Sequence, residues 1–198
     1  MKNLFITFEG VDGAGKTTLA EMVTRELKYK YLNAIPDLLN PILPEMSKTK
    51  SPLVTFNFFS LCNSYRSFEI KELLLNKGVI IDRYFFSTFS YHRLMLGDSV
   101  DEALKLYQKT KSNFLLPDII IFVTASKEVI HQRISKRENG ENKKQWYGDK
   151  ISLSLDIVSS YQITLDKMQI PYFHIDTSDK TPEEGCALIL DYIQNWKK

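Results

Sequence analysis

Short apolar runs alternate with longer amphipathic stretches along this chain. The apolar runs predict β-strands at 4–9, 32–35, 78–83, 119–124 and 171–176. Between them, apolar residues recur at helical spacing, which predicts helices from Gly15 onward and at 53–76, 100–112, 126–137, 149–168 and after Thr181. Such alternation is typical of parallel strands joined by helices, so we expect a three-layer α/β fold with a central parallel sheet flanked by helices.

Two segments interrupt this alternation. Residues 36–52 contain four prolines and predict a loop or an irregular segment. The polar run at 138–145 predicts a flexible segment. Thr181 is followed by a proline and, three residues on, by a glutamate, which predicts a capped helix start. No repeat and no change of composition marks a second domain, so we expect residues 1–198 to form a single domain.

Composition and charge narrow the class of protein. A net charge of +2 over 198 residues gives no reason to expect a nucleic-acid partner. Cys62 and Cys186 lie far apart without a second ligand at metal spacing, which favours buried free thiols over a zinc site or a disulfide. Glu9 and Asp12 come too early for a signal peptide, and no apolar run approaches the ~18 residues of a membrane span. We therefore expect a cytoplasmic protein without a membrane partner.

The first predicted strand runs into a glycine-rich motif. Residues 10–17 fit the pattern G-x-x-x-x-G-K-[ST] between a predicted strand and a predicted helix, which is the context that a phosphate-binding loop requires. In such a loop the backbone N–H groups surround the phosphates, Lys16 reaches the β- and γ-phosphates, and the Thr17 hydroxyl ligates Mg²⁺. The motif predicts a P-loop NTPase fold that binds ATP through Gly10, Gly13, Ala14, Gly15, Lys16, Thr17 and Thr18.

A second polar site follows the predicted strand at 78–83. A P-loop needs a carboxylate at the end of a neighbouring strand for its metal ion, and Asp82 is in that position. Asp118 precedes its strand, so we expect it at the opposite edge of the sheet. Arg83 follows Asp82 and can pair with a phosphate in bidentate fashion. An Asp-Arg pair is more often a structural ion pair, but beside a P-loop we interpret it as part of the site.

These motifs resemble those of the thymidylate kinase family. Residues 5–19 closely match the opening of the family, 80–91 are similar to its Asp-Arg-Tyr signature, and 117–126 resemble its later strand. The resemblance covers nearly the whole chain. It implies transfer of a phosphoryl group from ATP to a nucleoside monophosphate with the help of Mg²⁺, a lid at 136–148, and a homodimer.

The resemblance also implies roles for individual residues. Asp12 would lie near the acceptor sugar or the metal, and Asp82 would act through magnesium. Arg83 would hold the acceptor phosphate, Tyr91 would pack against the deoxyribose, and Phe59 would stack on the base.

The chain departs from the family in the acceptor half. The family usually has an arginine after its second strand that contacts the acceptor phosphate, but residues 36–52 contain none. A second family arginine, four residues after Phe59, is replaced by Asn63, and the nearest arginine is Arg66. Asn63 can pair with a base edge through its amide. Arg66 either contacts the acceptor from a new position or is a surface residue.

The lid is expected to supply charge to the transition state. Gly13 stands where some family members have a loop arginine, and members without that arginine are thought to use the lid instead. An arginine at the γ-phosphate would neutralise developing charge. The candidates are Arg133, Lys136, Arg137, Lys143 and Lys144, of which we favour Arg133 and Arg137.

Three functions remain open at this point. The first is a kinase for dTMP or a similar nucleoside monophosphate, in which an anionic acceptor oxygen attacks in line and needs no strong base. The second is the same fold acting on another, modified nucleotide or on a nucleoside. The third is an ATP-binding regulatory protein with little transfer activity.

Overall fold

The computed structural model of the chain describes residues 3–97, 105, 114–138, 154–168 and 171–196. The predicted helix at 100–112, apart from residue 105, lies outside this part of the chain. Most of the predicted lid at 136–148 lies outside it too, and so does the side chain of Arg137.

A five-stranded parallel sheet forms the centre of the fold, as predicted. Its strands are β1 (Phe5–Gly10), β2 (Lys30–Asn33), β3 (Val79–Asp82), β4 (Ile119–Thr124) and β5 (Tyr172–Asp176). They pair in the order β2-β3-β1-β4-β5, and every pair is parallel. All residues of β1 and β4 are buried. This burial agrees with the largely apolar character of both strands, although β1 also buries the polar residues Thr7 and Glu9.

Helices cover the sheet in two groups. They are α1 (Lys16–Leu27), a 3₁₀ helix (Asp37–Ile42), α2 (Leu43–Lys48), α3 (Pro52–Leu73), α4 (Phe85–Leu96), α5 (Lys127–Glu138), α6 (Ser154–Met168) and α7 (Pro182–Asn195). α1 packs with α7, while α4 packs against both α3 and α6. These layers confirm the predicted three-layer α/β fold. None of the helices in the described residues is long and apolar enough to cross a membrane.

Helix α4 is not predicted by the apolar pattern. Its buried side chains form an almost continuous run: Phe85, Phe86, Ser87, Thr88, Phe89, Ser90 and His92. A helix that is buried around most of its circumference shows no apolar stripe, so periodicity does not identify it. The helix is specified instead by its packing against the neighbouring elements.

The proline-containing segment at 36–52 is largely helical, so the prediction of a loop or an irregular segment there is wrong. Pro36 precedes the 3₁₀ helix, and Pro52 is the first residue of α3, where the missing N–H of proline is not needed. Leu39 packs with Phe58 and Cys62 in a small cluster beside the main core. The segment therefore covers one end of α3.

The start of α7 is capped as predicted. The Thr181 hydroxyl accepts a hydrogen bond from the Glu184 N–H at 3.2 Å, and the Glu184 carboxylate accepts one from the Thr181 N–H at 2.8 Å. The two bonds satisfy backbone donors that have no partner within the helix.

Glu9 is a fully buried carboxyl group near the end of β1. It accepts hydrogen bonds from the Tyr84 N–H at 2.9 Å, the Ser87 hydroxyl at 2.5 Å and the Thr7 hydroxyl at 3.1 Å. Burial raises the pKa of Glu9 to about 7, although these bonds and the charge of Arg83 oppose the rise. The native protein therefore contains a neutral carboxyl below this pH, and ionising it costs stability.

We predict that wild-type protein becomes less stable as the pH rises from 4.5 to about 7, and that the Glu9→Gln variant does not show this loss. The carboxyl ionises near pH 4.5 in the unfolded chain and near pH 7 in the native one, so wild-type protein loses folding free energy as the pH rises through this window. The expected loss is about 2–4 kcal/mol. Urea denaturation measures it: the free energy of unfolding of the variant minus that of wild type should rise from about pH 4 to about pH 8.

Glu128→Gln provides the control. Glu128 is exposed on α5, and hydrogen bonds from its own N–H and from Ser126 lower its pKa. Its carboxylate therefore supports the fold at higher pH, and this support is lost as the pH falls. The variant-minus-wild-type difference should then fall with rising pH. A flat or falling difference for Glu9→Gln would show that Glu9 does not titrate in this way.

Candidate active site

The carboxyl end of β1 continues into the predicted phosphate-binding loop. Gly10 and Gly15 have φ values of 135° and 90°, which glycine adopts without steric cost. Space excludes a side chain at Gly10 as well, because a Cβ atom there would lie 2.0 Å from the carbonyl oxygen of Val123 in β4. Gly15 is the N-cap of α1 and has no side chain to bond the first N–H groups of that helix. These groups are suited to an anion such as phosphate.

Lys16 is the buried cation of this loop. Its ammonium group donates to the carbonyl oxygen of Val11 at 2.7 Å. Burial, and after it the charge of Arg83, lowers the pKa of Lys16 to about 8, so the group is still charged at neutral pH. Thr17 and Thr18 follow on the exposed first turn of α1. The predicted ATP-binding residues thus form one continuous loop and helix start.

Asp82 lies at the carboxyl end of β3, beside β1, where its register partner is Phe8. Its Oδ2 accepts a hydrogen bond from the Thr17 hydroxyl at 2.5 Å. Its Oδ1 is buried and has no hydrogen-bond partner among the described residues. Asp118, by contrast, accepts from the N–H of Phe5 at the opposite edge of the sheet. The structure therefore brings the two predicted metal residues, Thr17 and Asp82, together.

Arg83 joins Asp12 and Tyr91. Its backbone has a φ of 70°, which is uncommon for a residue with a side chain and occurs often at functional sites. Nη2 donates to Asp12 at 2.5 Å and to the Tyr91 hydroxyl at 3.3 Å. Nη1 donates to the hydroxyls of Ser87 and Tyr161, both at 3.3 Å. Three residues that the family resemblance selects are thus one polar cluster at the carboxyl edge of the sheet.

A second polar layer lies next to Arg83. The Ser87 hydroxyl donates to Glu9 and lies 2.6 Å from the hydroxyl of Tyr161, which donates to the carbonyl oxygen of Gly10 at 3.3 Å. No motif in the sequence predicts a role for Glu9 or Ser87 in the site. One signal for Glu9 was available, since it is a charged residue that ends an apolar strand directly before the first glycine of the loop.

A cavity of about 410 Å³ opens beside this cluster. The predicted acceptor residues Asp12, Phe59, Asn63, Arg83 and Tyr91 all line it. Its size falls in the range of small-molecule sites. Among the residues that line the cavity, Arg83 carries the positive charge.

Asn63 and His92 bring an amide and an imidazole into the cavity wall. The Asn63 amide donates to the Thr88 hydroxyl at 3.0 Å. His92 Nδ1 lies 2.7 Å from the Thr88 carbonyl oxygen, which accepts only, and Nε2 lies 3.1 Å from the Thr55 hydroxyl. Nδ1 therefore carries a proton, and burial lowers the pKa of His92. His92 thus links α3 to α4.

Arg66 does not line the cavity. Its side chain is buried, and the guanidinium donates to the carbonyl oxygens of Asn33 and Ile35 and to the carboxylate of Glu69. Of the two expectations for Arg66, the exposed surface residue is wrong. The direct acceptor contact is not favoured either, because these partners occupy the guanidinium.

Arg133 contacts the backbone of the phosphate-binding loop. Nη1 donates to the Gly13 carbonyl oxygen at 3.3 Å and to the Thr177 hydroxyl at 2.9 Å, and Nη2 donates to the Thr177 carbonyl oxygen at 2.9 Å. A contact with the γ-phosphate, as predicted for Arg133, therefore requires the side chain to leave these partners. The other candidates Arg137, Lys143 and Lys144 have side chains outside the described residues.

The sequence is similar to those of known kinases. A probable thymidylate kinase of Sulfurisphaera tokodaii is 32% identical over 195 residues, which cover 93% of this chain and 97% of that protein. A deoxyguanosine kinase of Bacillus subtilis is 28% identical over 170 residues, which cover 83% of this chain and 80% of that protein.

Two solved structures share the fold. The thymidylate kinase of Candida albicans has a TM-score of 0.74 at 21% identity, and the match covers 98% of this chain and 92% of that one. The deoxyadenosine kinase of M. mycoides with bound dCTP has a TM-score of 0.70 at 20% identity, with 98% and 100% covered. Both likenesses confirm the P-loop α/β fold.

The family described as thymidylate kinase matches residues 8–153. This match takes in the phosphate-binding loop, the Asp82–Arg83 pair and the cavity beside them. The chain therefore belongs to the thymidylate kinase family and is a P-loop phosphotransferase of the nucleoside-monophosphate-kinase type.

Proposed function

We propose that this protein transfers the γ-phosphoryl group of MgATP to the 5′-phosphate of thymidylate, which yields dTDP and ADP. The observation that carries the proposal is Arg83, which is paired with Asp12 in the cavity wall, next to the phosphate-binding loop. A fixed guanidinium between a ligand-sized cavity and a P-loop supports an acceptor that carries its own phosphate.

The donor half holds the phosphates of ATP. The loop N–H groups and the ammonium of Lys16 contact the β- and γ-phosphates. Lys16 has a pKa of about 8 without a ligand, and the negative charge of the phosphates raises it further. The cation is therefore fully charged when the donor is bound.

In the acceptor half, Arg83 holds the 5′-phosphate, Tyr91 packs against the deoxyribose, and Phe59 and Asn63 contact the base. An oxygen of the 5′-phosphate attacks the γ-phosphorus, while the bond from phosphorus to the β–γ bridging oxygen breaks and ADP leaves with the electron pair. The attacking oxygen is already anionic, so positioning and charge stabilisation supply most of the catalysis.

The residues at the end of β3 fit a magnesium ion. Asp82 offers a buried carboxylate oxygen without a partner among the described residues, and the Thr17 hydroxyl lies beside it. Mg²⁺ prefers such oxygen donors and is bound by one or two carboxylates together with water and substrate phosphates. We therefore assign Thr17 and Asp82 to the ion that accompanies ATP. When bound, Mg²⁺ neutralises charge on the β- and γ-phosphates.

We predict that Asp82→Asn lowers kcat by about 10- to 100-fold, because an amide is a poor partner for a hydrated hard cation. The magnesium concentration that gives the half-maximal rate should rise, while the circular dichroism spectrum stays unchanged. Asp118→Asn is the matched control, since it removes a carboxylate at the other edge of the same sheet. If Asp82→Asn kept the wild-type magnesium requirement, the metal would have to bind elsewhere.

The identity of the acceptor has mixed support. The S. tokodaii relative is named a probable thymidylate kinase, and Phe59 and Tyr91 line the cavity as the resemblance implies. Two observations favour a nucleoside instead. The B. subtilis relative is named a deoxyguanosine kinase, and Arg83 is the one arginine or lysine among the described residues that line the cavity. A nucleoside, which has no phosphate to neutralise, is therefore the competing acceptor.

We predict that dTMP is the best acceptor in a panel of the deoxynucleoside monophosphates and their nucleosides, assayed by ADP release. Its KM should exceed that of a relative with both arginines by about 10- to 100-fold, because two charged contacts are absent. Arg83→Gln should abolish activity on dTMP and leave any activity on thymidine. A nucleoside that is turned over faster than every monophosphate would overturn the proposal, and a protein without transfer to any acceptor would favour a regulatory role.

We also propose a homodimer that uses one face of α3. Leu61, Tyr65 and Phe68 recur at helical spacing on this face, and 55%, 40% and 66% of their surfaces are exposed. Contiguous exposed apolar residues of this kind mark interaction sites. A symmetric dimer places the same face of both copies in contact.

We predict that Phe68→Asp converts the dimer to a monomer, because the interface would have to bury a carboxylate without a partner. Sedimentation velocity measures the change. Leu188→Asp on α7 is the matched control. Leu188 is an exposed apolar residue too, with 45% of its surface accessible, but it lies on another helix. Wild-type protein that sediments as a monomer, or a Leu188→Asp protein that dissociates as well, would argue against this face.

We also propose a cytoplasmic location, which the two cysteines support. Cys62 and Cys186 are buried free thiols. Burial raises the pKa of Cys62 to about 11, so it is an unreactive thiol. Such residues are ordinary in a reducing compartment.

A further inference from the structure

The guanidinium of Arg66 is held on two sides. Its side chain is 6% exposed. Nε and Nη2 donate to the carbonyl oxygens of Asn33 and Ile35 at 2.8 and 2.9 Å, and Nη1 donates to Glu69 one helical turn away. The planar fork thus bonds two backbone carbonyls along one edge, and the carboxylate of Glu69 compensates its charge.

The backbone that Arg66 holds is where the chain leaves the sheet. Asn33 is the last residue of β2, which among the described strands pairs with β3 alone and lies at the edge of the sheet. In the register its partner is Asp82. The next two residues, Ala34 and Ile35, line the cavity. The two hydrogen bonds of Arg66 therefore bracket Ala34 and fix the course of the cavity wall.

The side chain of Ile35 extends this effect to the base side of the cavity. Ile35 packs on the small cluster formed by Leu39, Phe58 and Cys62. Leu43 and Phe59 pack on the same cluster, and both line the cavity. A shift of the backbone at Ile35 would therefore move the side chains around Phe59, which we propose stacks on the base.

We propose that Arg66 is a positioning residue for the acceptor, which it serves by holding residues 33–35 without touching the acceptor. The inference rests on the proposed function for the identity of the cavity as the acceptor site. An arginine suits this task because its rigid fork spans two carbonyls, whereas the ammonium of lysine is a point donor. The phosphate-binding loop follows β1 and is not among the partners of Arg66, so we expect substitution of Arg66 to leave the affinity for ATP unchanged.

Hydrogen–deuterium exchange tests the clamp independently of any substrate. In Arg66→Gln protein, peptides that cover residues 31–43 should take up deuterium faster than in wild type, because two hydrogen bonds to their carbonyls are lost. Lys71→Gln is the matched control, since it removes a positive charge from an exposed position of the same helix. Uptake at 31–43 that stays at the wild-type rate in Arg66→Gln would overturn the clamp.

Kinetics separate positioning from direct contact. With Arg66→Gln, we expect KM to rise about tenfold for every acceptor that the enzyme uses, by the same factor whatever the base, with an unchanged affinity for a non-hydrolysable ATP analogue. Arg66→Lys should recover only part of the loss. A change in the order of preference among bases would mean that Arg66 reads the base directly, and an unchanged KM would mean that it has no role in acceptor binding.

A milder variant covers the case in which Arg66→Gln does not fold. Glu69→Gln keeps the guanidinium and removes only its carboxylate partner. It should raise the deuterium uptake at 31–43 and the KM for the acceptor in the same direction as Arg66→Gln, but by less. If it alters base preference, or leaves both exchange and KM as in wild type, the proposal fails. If dTMP is not the acceptor but the exchange result holds, the clamp stands and only the proposed substrate is lost.

Discussion

The parallel pairing of β1 with β3 on one side and β4 on the other is the constraint on which the site depends. Parallel strands end at the same edge of a sheet, so the loop after β1 and Asp82 at the end of β3 lie next to each other as a direct result of the strand pairing. At Gly10 the strands approach so closely that no side chain fits. The point at which the loop leaves the sheet is thereby fixed, and with it the direction of α1.

Arg83 and Arg66 differ in their hydrogen-bond partners, and this difference suits them to different roles. Arg83 is bonded to a carboxylate and to hydroxyls at the rim of a cavity, and such side-chain partners can share the cation with an incoming phosphate. Arg66 is bonded to backbone carbonyls that cannot move away without unravelling the end of β2. The first is suited to binding and the second to support.

The parts of the structure that depend on local sequence could be predicted from it. The buried strands, the glycine-rich loop and the cap at Thr181 each have their cause within a few residues. Helix α4 could not be predicted, because its residues are buried on nearly all sides and show no period. The role of Arg66 could not be predicted either, since the two backbone carbonyls that it holds lie more than thirty residues away along the chain, at Asn33 and Ile35.

The small cluster around Leu39, Phe58 and Cys62 has a consequence for how such proteins diverge. Residues 36–50 pack on this cluster, and none of the described residues among them belongs to the main core. Substitutions there can accumulate over evolutionary time without disturbing the nucleotide-donor machinery, which is built on the central strands. Leu43 belongs to this segment and lines the cavity, so one part of the cavity wall can vary while the strands that carry the phosphate-binding loop stay the same.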